Sequence, residues 1–469
     1  MDPDICYRAI IARDTRFDGK FFTGVTSTGI YCRPVCPART PARRNCMFFP
    51  SPAAAQEAGF RPCLRCRPEI APGLPASNGT GALVARALRL IDEGALDTDS
   101  VDVFAGRLGV GERHLRRLFL EKIGAAPMAV AQNRRILFAK KLLTETRLSI
   151  TDICFASGFS SVRRFNDTML AALGRAPRDF RRITQPPVRG RIELKFAYRP
   201  PFDWDGLLVF LAPRAIPGVE RVAAGIYSRT IRIHDTAGFV SVSHQPERNC
   251  LTACLDLSSS RDLAVVVHRL RRMFDLACDP HEVQSCLARD PLFRSLRPGV
   301  RLPGGWDPFE LGVRAILGQQ ISVPAATTLA GRLVAAFGDR SPYGLLFPAP
   351  AKLAESDIAG IGLPAQRAAS IRSLAEAAAR GDFGSPGASL DETVRSLRGL
   401  SGVGPWTAQY LAMRAYQDPD AFPSGDLALR RAAGNLTSRD LESRAERWRP
   451  WRAYAALNLW RLYAEQARD

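Results

Sequence analysis

No stretch of this sequence reaches the roughly 18 consecutive apolar residues that a membrane span needs, although hydrophobic residues make up 46% of the chain. That excludes a membrane-embedded protein and leaves ordinary globular composition. The opening Met1-Asp2-Pro3-Asp4-Ile5-Cys6 lacks the basic start and apolar run of a secretory signal. A reducing, cytoplasmic setting is expected, where disulfides are rare, so the 11 cysteines need another purpose. Acidic residues are also in short supply. Against 65 Lys and Arg stand 46 Asp and Glu, a net charge of +19. Arginine supplies most of the cations, and its planar fork suits phosphate, so a polyanionic partner is expected.

A length of 469 residues predicts roughly three folding units, each with its own core. Residues 71 to 81 and the Gln185, Pro186, Pro187, Arg189, Gly190 stretch read as linkers. The three segments they define carry +5, +7 and +7, so no single tail holds the charge. Six of the 11 cysteines precede residue 67, whereas all six tryptophans lie in the third segment. The segments therefore have different tasks.

In the first segment, Cys32-x-x-x-Cys36 and Cys63-x-x-Cys66 are two close pairs separated by 26 residues. This spacing wraps a tetrahedral ion with four thiolates, and zinc is the expected metal. From spacing alone a purely structural zinc knot remains open, and Cys6 and Cys46 are either spare thiols or competing ligands. The flanking residues Thr28-Gly29-Ile30-Tyr31-Cys32-Arg33-Pro34-Val35-Cys36 and Gly59-Phe60-Arg61-Pro62-Cys63-Leu64-Arg65-Cys66 closely resemble the N-terminal domain of the Ada adaptive-response proteins. The resemblance implies that Cys32 is both a zinc ligand and a thiolate that takes a methyl group irreversibly from a methylated DNA phosphate. Zinc keeps sulfur as thiolate at neutral pH, which attack on a methyl carbon requires. Arg33, Arg39, Arg43 and Arg44 are candidates to hold the DNA backbone, the alternative being a solvated loop.

Residues 101 to 119 place Val103, Phe104, Leu108, Leu115, Leu118 and Phe119 at helical spacing around a turn at Gly109. The pattern recurs 49 residues later with Ile150, Ile153, Cys154, Gly158, Phe159, Val162 and Phe165. Two such copies joined by a long helix near 127 to 143 resemble the DNA-binding domain of AraC-type regulators, which Ada proteins carry in this position. The second helix of each copy is expected in a major groove. It would present Arg113, His114, Arg116 and Arg117 in one, and Ser161, Arg163, Arg164 and Asn166 in the other. Cys154, on the apolar face, is expected in the core.

The third segment contains Leu400-Ser401-Gly402-Val403-Gly404-Pro405-Trp406-Thr407-Ala408, a glycine turn opening a helix whose free N–H groups favour a phosphate. Asp426 follows in Phe422-Pro423-Ser424-Gly425-Asp426-Leu427. Together these match the helix-hairpin-helix and following Asp of base-excision DNA glycosylases. The resemblance to the AlkA-type 3-methyladenine branch runs from about Pro200 through Leu302-Pro303-Gly304, Phe309-Glu310, Ala315-Ile316-Leu317-Gly318-Gln319-Gln320 and Pro450-Trp451-Arg452. It implies that Asp426 is the catalytic acid. Trp406, Tyr410 and Trp460 would wall the base pocket, Gln319 and Gln320 would meet the substrate strand with Gln320 as the wedge, and Gly402 and Gly404 would meet DNA phosphate. An alkylated purine is cationic, so aromatic rings attract it and it leaves readily. The carboxylate then stabilises an oxocarbenium-like sugar. Asp426 also reads as a helix cap, and Trp451 as a core aromatic.

Near Trp406 no lysine offers itself for a Schiff base, so a monofunctional hydrolase is expected. The C-terminal cysteine cluster of iron-sulfur glycosylases is missing; Cys250, Cys254, Cys278 and Cys286 are expected to be buried thiols. Also missing is the Pro-Cys-His-Arg motif of O-6-methylguanine methyltransferases, where the chain departs from a full-length Ada protein.

The expected fold is α+β multidomain. A zinc-binding methyl-acceptor domain would span 1–72, an all-α double helix-turn-helix domain 80–184, an AlkA-like α+β subdomain 190–300, and a helix-hairpin-helix glycosylase domain 301–469. Alternations such as Arg191-Ile192-Glu193-Leu194-Lys195-Phe196 and Thr230-Ile231-Arg232-Ile233 supply strands to the third. The expected function is alkylation repair coupled to methylation-activated transcription. Zn2+ is the expected cofactor, double-stranded DNA (alkylated and operator) and RNA polymerase the partners, and the bacterial nucleoid the location. Two rivals stand beside it: a regulator whose C-terminal half binds damaged bases without excising them, and a glycosylase whose zinc knot only holds structure.

Overall fold

In a computed structural model of the protein, described for residues 1–73, 81–180, 191–234, 236–294, 297–383 and 389–466, the chain divides into two compact units. The first comprises 1–200, 245–268 and 276–278; the second comprises 201–244, 269–275 and 279–469. Most of the linker expected at 71–81, and all of the one at 185–190, lie outside the described residues. Among the described residues no helix is long and apolar enough to cross a membrane.

The first unit begins with a four-stranded sheet in the order β3-β1-β2-β4, formed by β1 (Phe22–Val25), β2 (Ile30–Cys32), β3 (Cys46–Phe49) and β4 (Arg61–Pro62). β1 pairs antiparallel with β2 and β3, while β2 and β4 run parallel. Phe22, Tyr31, Ala55 and Phe60 fill one face. Cys6 and Cys46 sit with Ala9, Ile10 and Phe21 in a second apolar cluster, where burial pushes both thiols up. They are core residues.

Helices Gly81–Asp92 and Ala95–Thr98 come next, and five more follow. Val101–Arg107 and Glu112–Ile123 form the first helix-turn-helix, Pro127–Glu145 is the long connector, and Ile150–Ala156 and Val162–Leu173 form the second. Serine caps open both first helices: Ser100 accepts from the Val103 amide, and Ser149 from that of Asp152. Gly109 (φ 75°) and Gly158 (φ 82°) make the turns in the left-handed region that glycine enters without a Cβ penalty. Up to the turn the offset between copies is 49 residues. The second turn is one residue longer, so buried Leu115, Phe119 and Ile123 correspond to Phe165, Met169 and Leu173 at an offset of 50. Val103, expected on the apolar face, is 54% exposed. Its counterpart in the other copy is Asp152, and that position faces outward in both. Cys154 is fully buried.

A buried ionic joint ties the zinc sheet to the long helix. Lys140 Nζ donates to Glu69 Oε2 at 2.5 Å and to the Cys63 carbonyl at 3.2 Å, with Lys140 and Glu69 side chains both 1% exposed. Arg67 bridges Glu69 and Glu145, and Asn133 donates to Gln56 at 2.7 Å. Also in this unit, β5 (Ile192–Ala197) pairs antiparallel with β9 (Cys250–Leu257).

The second unit holds an antiparallel meander of β6 (Glu220–Ala223), β7 (Ile226–Ile233) and β8 (Thr236–Gln245), followed by a helical body. Its core gathers Val313, Ile316 and Leu317 of helix Pro308–Leu317, Leu333 and Val334 of Val323–Phe337, and Ile371 and Leu374 of Ala365–Ala379. Arg229 on β7 meets Glu310 at 2.5 Å, and Arg314 meets Glu220 at 2.8 Å and Glu310 at 3.1 Å. Burial opposes the Glu220 charge, but Arg314 and Arg229 outweigh it and hold the carboxyl down at about 2. Glu310, legible in sequence only as part of a resemblance, thus fastens the meander to the helices. Trp451 is buried against Tyr454, as expected of a core aromatic. Of the four cysteines expected to be buried thiols, Cys250 and Cys278 are, whereas Cys254 and Cys286 are partly exposed. Cys254 occupies an outward-alternating position on β9, and Cys286 lies near the carbonyls of Trp448 and Arg449.

Candidate functional site

Strand register builds the first site. Ile30 and Tyr31 lie opposite Arg61 and Pro62, so the next residue on each strand is a cysteine, and each chain then turns to return a second one. The Sγ atoms of Cys32, Cys36, Cys63 and Cys66 all lie within 4.8 Å of one another. A tetrahedral zinc ion with Zn–S bonds of about 2.3 Å needs sulfurs about 3.8 Å apart, so the donor set fits zinc. The four sulfurs are not equivalent. Cys63 and Cys66 are buried, and they accept the backbone amides of Arg65 and Arg33, both at 3.3 Å. The Ala38 amide bears on Cys36. Among the described residues no backbone N–H is bonded to the Cys32 sulfur, which lines a cavity of about 400 Å³.

Arg33, expected at the DNA backbone, is turned inward. Its guanidinium is 8% exposed, paired with Asp18 and bonded to the Cys66 carbonyl at 3.0 Å. Asp18 lies 15 residues upstream and approaches only in the folded sheet, which is why an arginine between two ligand cysteines read as a surface cation. Arg43 covers the rings of Tyr7 and Phe48, while Arg39 and Arg44 are exposed. Removing Arg33 leaves a buried carboxylate unpaired, so Arg33→Ala is expected to cost about 3–5 kcal/mol. Thermal unfolding with bound-zinc analysis should give a clear fall in Tm and in metal retention.

On the second helix of each helix-turn-helix, Arg113, His114, Arg116 and Arg117, and Ser161, Arg163, Arg164 and Asn166, are all exposed. The buried positions between them point inward, so each helix offers one continuous polar face.

In the second unit the hairpin joins helix Leu390–Arg398 to helix Pro405–Arg414. Gly402 (φ 77°) leaves no room for a side chain, since a Cβ there would stand 2.1 Å from Ser370 Oγ. Gly404 caps the second helix with open space around its Cα, leaving the helix N-terminus reachable by a phosphate. Trp406, the second residue of that helix, stacks on Tyr410 one turn on, with centroids 5.1 Å apart at 12°, and Trp460 meets Tyr410 edge-on at 6.2 Å. Burial alone would push the Tyr410 phenol up. Arg414, bonded to its oxygen at 2.6 Å, and Arg214 outweigh that and hold it below the ordinary tyrosine value.

Asp426 stands beside this aromatic group. Its Oδ1 accepts the amides of Ala428 and Leu429 at 2.9 and 3.1 Å, and its Oδ2 accepts Trp406 Nε1–H at 2.9 Å. The carboxylate therefore caps the helix through one oxygen and holds the Trp406 indole through the other.

Gln319 and Gln320 share a turn but separate in role. Gln319 Nε2 donates to the Gly402 carbonyl and to Thr407 Oγ1, and Arg367 donates to the Gln319 carbonyl. This turn is thereby strapped to the hairpin, and its amide is engaged internally. Gln320 projects exposed from a left-handed backbone (φ 59°), with exposed Ile321 beside it. Arg398 lines the same cleft as this turn and the hairpin. Neither Ile321 nor Arg398 was singled out by sequence. An isoleucine directly after Gln319-Gln320 was the available signal for the first.

Four family models match the chain: the metal binding domain of Ada over 5–69, a helix-turn-helix domain over 104–183, the AlkA N-terminal domain over 193–307, and the HhH-GPD superfamily of base excision DNA repair proteins over 313–452. A probable bifunctional transcriptional activator/DNA repair enzyme AlkA of Mycobacterium tuberculosis is 42% identical over 481 residues, covering 98% of this chain and 96% of that protein. DNA-3-methyladenine glycosylase 2 of Escherichia coli K12 is 36% identical over 56% of this chain and 95% of its own length. Among solved structures, a 3-methyladenine DNA-glycosylase from Archaeoglobus fulgidus shares the fold, with TM-score 0.51 and 22% identity over 58% of this chain and 98% of that one.

Proposed function

The chain belongs to the family of bifunctional transcriptional activators and DNA repair enzymes that join an Ada-type zinc and helix-turn-helix half to an AlkA-type glycosylase, and from that premise we propose that it excises alkylated purines of the 3-methyladenine type, accepts a methyl group on Cys32, and activates transcription once methylated. The observation that carries the first activity is the Asp426 carboxylate, anchored by a helix N-terminus through one oxygen and by Trp406 through the other. An anchored anion beside an aromatic pocket stabilises positive charge developing on the sugar and needs no reorganisation when the base leaves. Trp406, Tyr410 and Trp460 bind the cationic base, Gln320 fills the vacated stack, and the Gly402–Gly404 turn holds a strand phosphate. Release of free 3-methyladenine from methylated duplex DNA, without strand cleavage, tests this reading.

The second activity follows from the inequality of the four sulfurs. A sulfur that accepts amide N–H bonds gives up electron density, and of the three cysteines that line the cavity, Cys32, Cys36 and Cys63, Cys32 is the one that accepts none among the described residues. Bound zinc keeps the four sulfurs deprotonated at neutral pH. The Cys32 sulfur then attacks the methyl carbon, the S–C bond forms as C–O breaks, and the electron pair stays on the phosphate oxygen. A mass gain of one methyl on Cys32 after incubation with methylated DNA tests it.

The functional division we assign is 1–72 for methyl acceptance, 80–184 for operator binding, and 190–300 with 301–469 for excision. The exposed arginine faces of the paired helix-turn-helix read the operator, RNA polymerase is the partner during activation, and the protein works in the cytoplasm at the bacterial nucleoid. Gln320→Ala should raise the duplex concentration needed for half-maximal excision by about tenfold and leave the maximal rate on a lesion in single-stranded DNA within about twofold. Steady-state kinetics on paired and unpaired substrates check this.

A further inference from the structure

The cavity over Cys32 is not walled by the zinc domain alone. Leu173, Arg175 and Phe180, at the end of the second helix-turn-helix, also line it. The approach is close: at Gly174, which ends helix Val162–Leu173 with φ 67°, a Cβ would stand 2.5 Å from the Arg61 guanidinium on β4. Glycine there serves both the left-handed cap and the passage of Arg61. Leu173 and Phe180 are each 6% exposed and fix the segment, while Arg175 between them stays exposed. Arg39, Arg61 and Arg65 line the same cavity, likewise exposed. Among the described residues none of these four arginines is ion-paired with a carboxylate, whereas Arg33, Arg67, Arg134 and Arg135 in the same unit all are.

We propose that the methyl-acceptor site is composite, with Arg175 of the second helix-turn-helix holding a DNA phosphate while Cys32 takes the methyl group from the phosphotriester beside it. The inference rests on the reading of Cys32 as acceptor. A methylated phosphate is uncharged, but its neighbours along the strand are anions, and unpaired guanidiniums at the rim are what would seat them. Transfer also moves charge. Sulfur begins as a thiolate and ends as a neutral thioether, while the triester becomes a diester anion, so negative charge passes from the cavity floor toward its rim. Cations at the rim favour that direction. A DNA strand seated for transfer then also touches the C-terminal turn of an operator-reading helix.

Full-length Arg175→Ala and Arg175→Lys, compared with wild type, test this with two methyl donors: a duplex bearing one methylphosphotriester, and methyl iodide, which needs no phosphate seat. Mass gain on Cys32 is followed in time across a salt series. The expected result is that Arg175→Ala slows transfer from the duplex about five- to tenfold at low salt and reduces the slope of log rate against log salt by about 0.9, the signature of one lost phosphate contact. Lysine restores most of both, and methyl iodide reacts with Cys32 in each protein at rates within about twofold. A wild-type rate and slope for Arg175→Ala on the duplex would overturn the proposal. A faster rate would overturn it too, marking the segment as a lid. Wild-type protein that gains no methyl on Cys32 from either donor would remove the acceptor reading itself, and the proposal with it.

Discussion

Replacing Asp426 by Asn is expected to reduce excision by about 10²–10³-fold, about 3–4 kcal/mol of transition-state stabilisation, while duplex affinity stays within about twofold. Asn is nearly as good an N-cap as Asp, so its single carbonyl can keep the bonds to Ala428 and Leu429, and the fold persists. What changes is the other half of the group. An amide nitrogen now faces Trp406 Nε1, donor against donor, and the negative charge toward the sugar is gone. Tm should fall by no more than a few degrees, while single-turnover base release collapses. The companion variant Trp406→Phe removes the indole donor but not the charge, and should lose much less. Near-wild-type release by Asp426→Asn would mean that the carboxylate is only a cap.

Cys32→Ser is expected to abolish methyl acceptance completely and, with it, any change in operator affinity on exposure to methylated DNA. Four thiolates around a divalent cation carry a formal charge of about −2, and a methyl on one sulfur leaves about −1. Losing one negative charge close to a phosphate is worth on the order of 1 kcal/mol at an aqueous dielectric, roughly five- to tenfold in affinity. The wild-type protein should therefore bind its operator more tightly after methylation, and the gain should shrink as salt rises. The variant should show neither, yet excise bases normally, because Asp426 and its pocket belong to a different compact unit. Operator titrations of methylated and unmethylated protein over a salt series, with zinc content measured in parallel, decide the matter. Equal affinities at every salt would refute an electrostatic switch.

What could be read from the sequence was whatever local spacing encodes. Cysteine pairs three and four residues apart, a glycine recurring at 49 residues, and a glycine turn ahead of an aromatic helix each announce themselves within one element. Properties set by distant partners were not legible. Arg33 looks like a phosphate ligand until Asp18 folds beside it, and Gln319 looks like a contact to the substrate strand until its amide is found on the Gly402 carbonyl. Val103 obeys helical spacing yet faces outward, because a seven-residue helix has only a narrow buried stripe and Phe104 and Ala105 already fill it. The Asp426 ambiguity was of another kind. Cap and pocket were rival readings of one residue, and a carboxylate has two oxygens.

The Lys140–Glu69 joint bears on how such a fusion can be taken apart. A buried ion pair is weak as a source of stability, but breaking it by removing one partner is costly, because the other is left charged and dry. A gene fragment ending near residue 72 would keep Glu69 and discard Lys140, together with the Glu145 that balances Arg67. The zinc module is thus not a bead that can be cut from its string or transplanted onto an unrelated reader. Replacing the charges at the seam with apolar residues is the expected way to free it from the long helix.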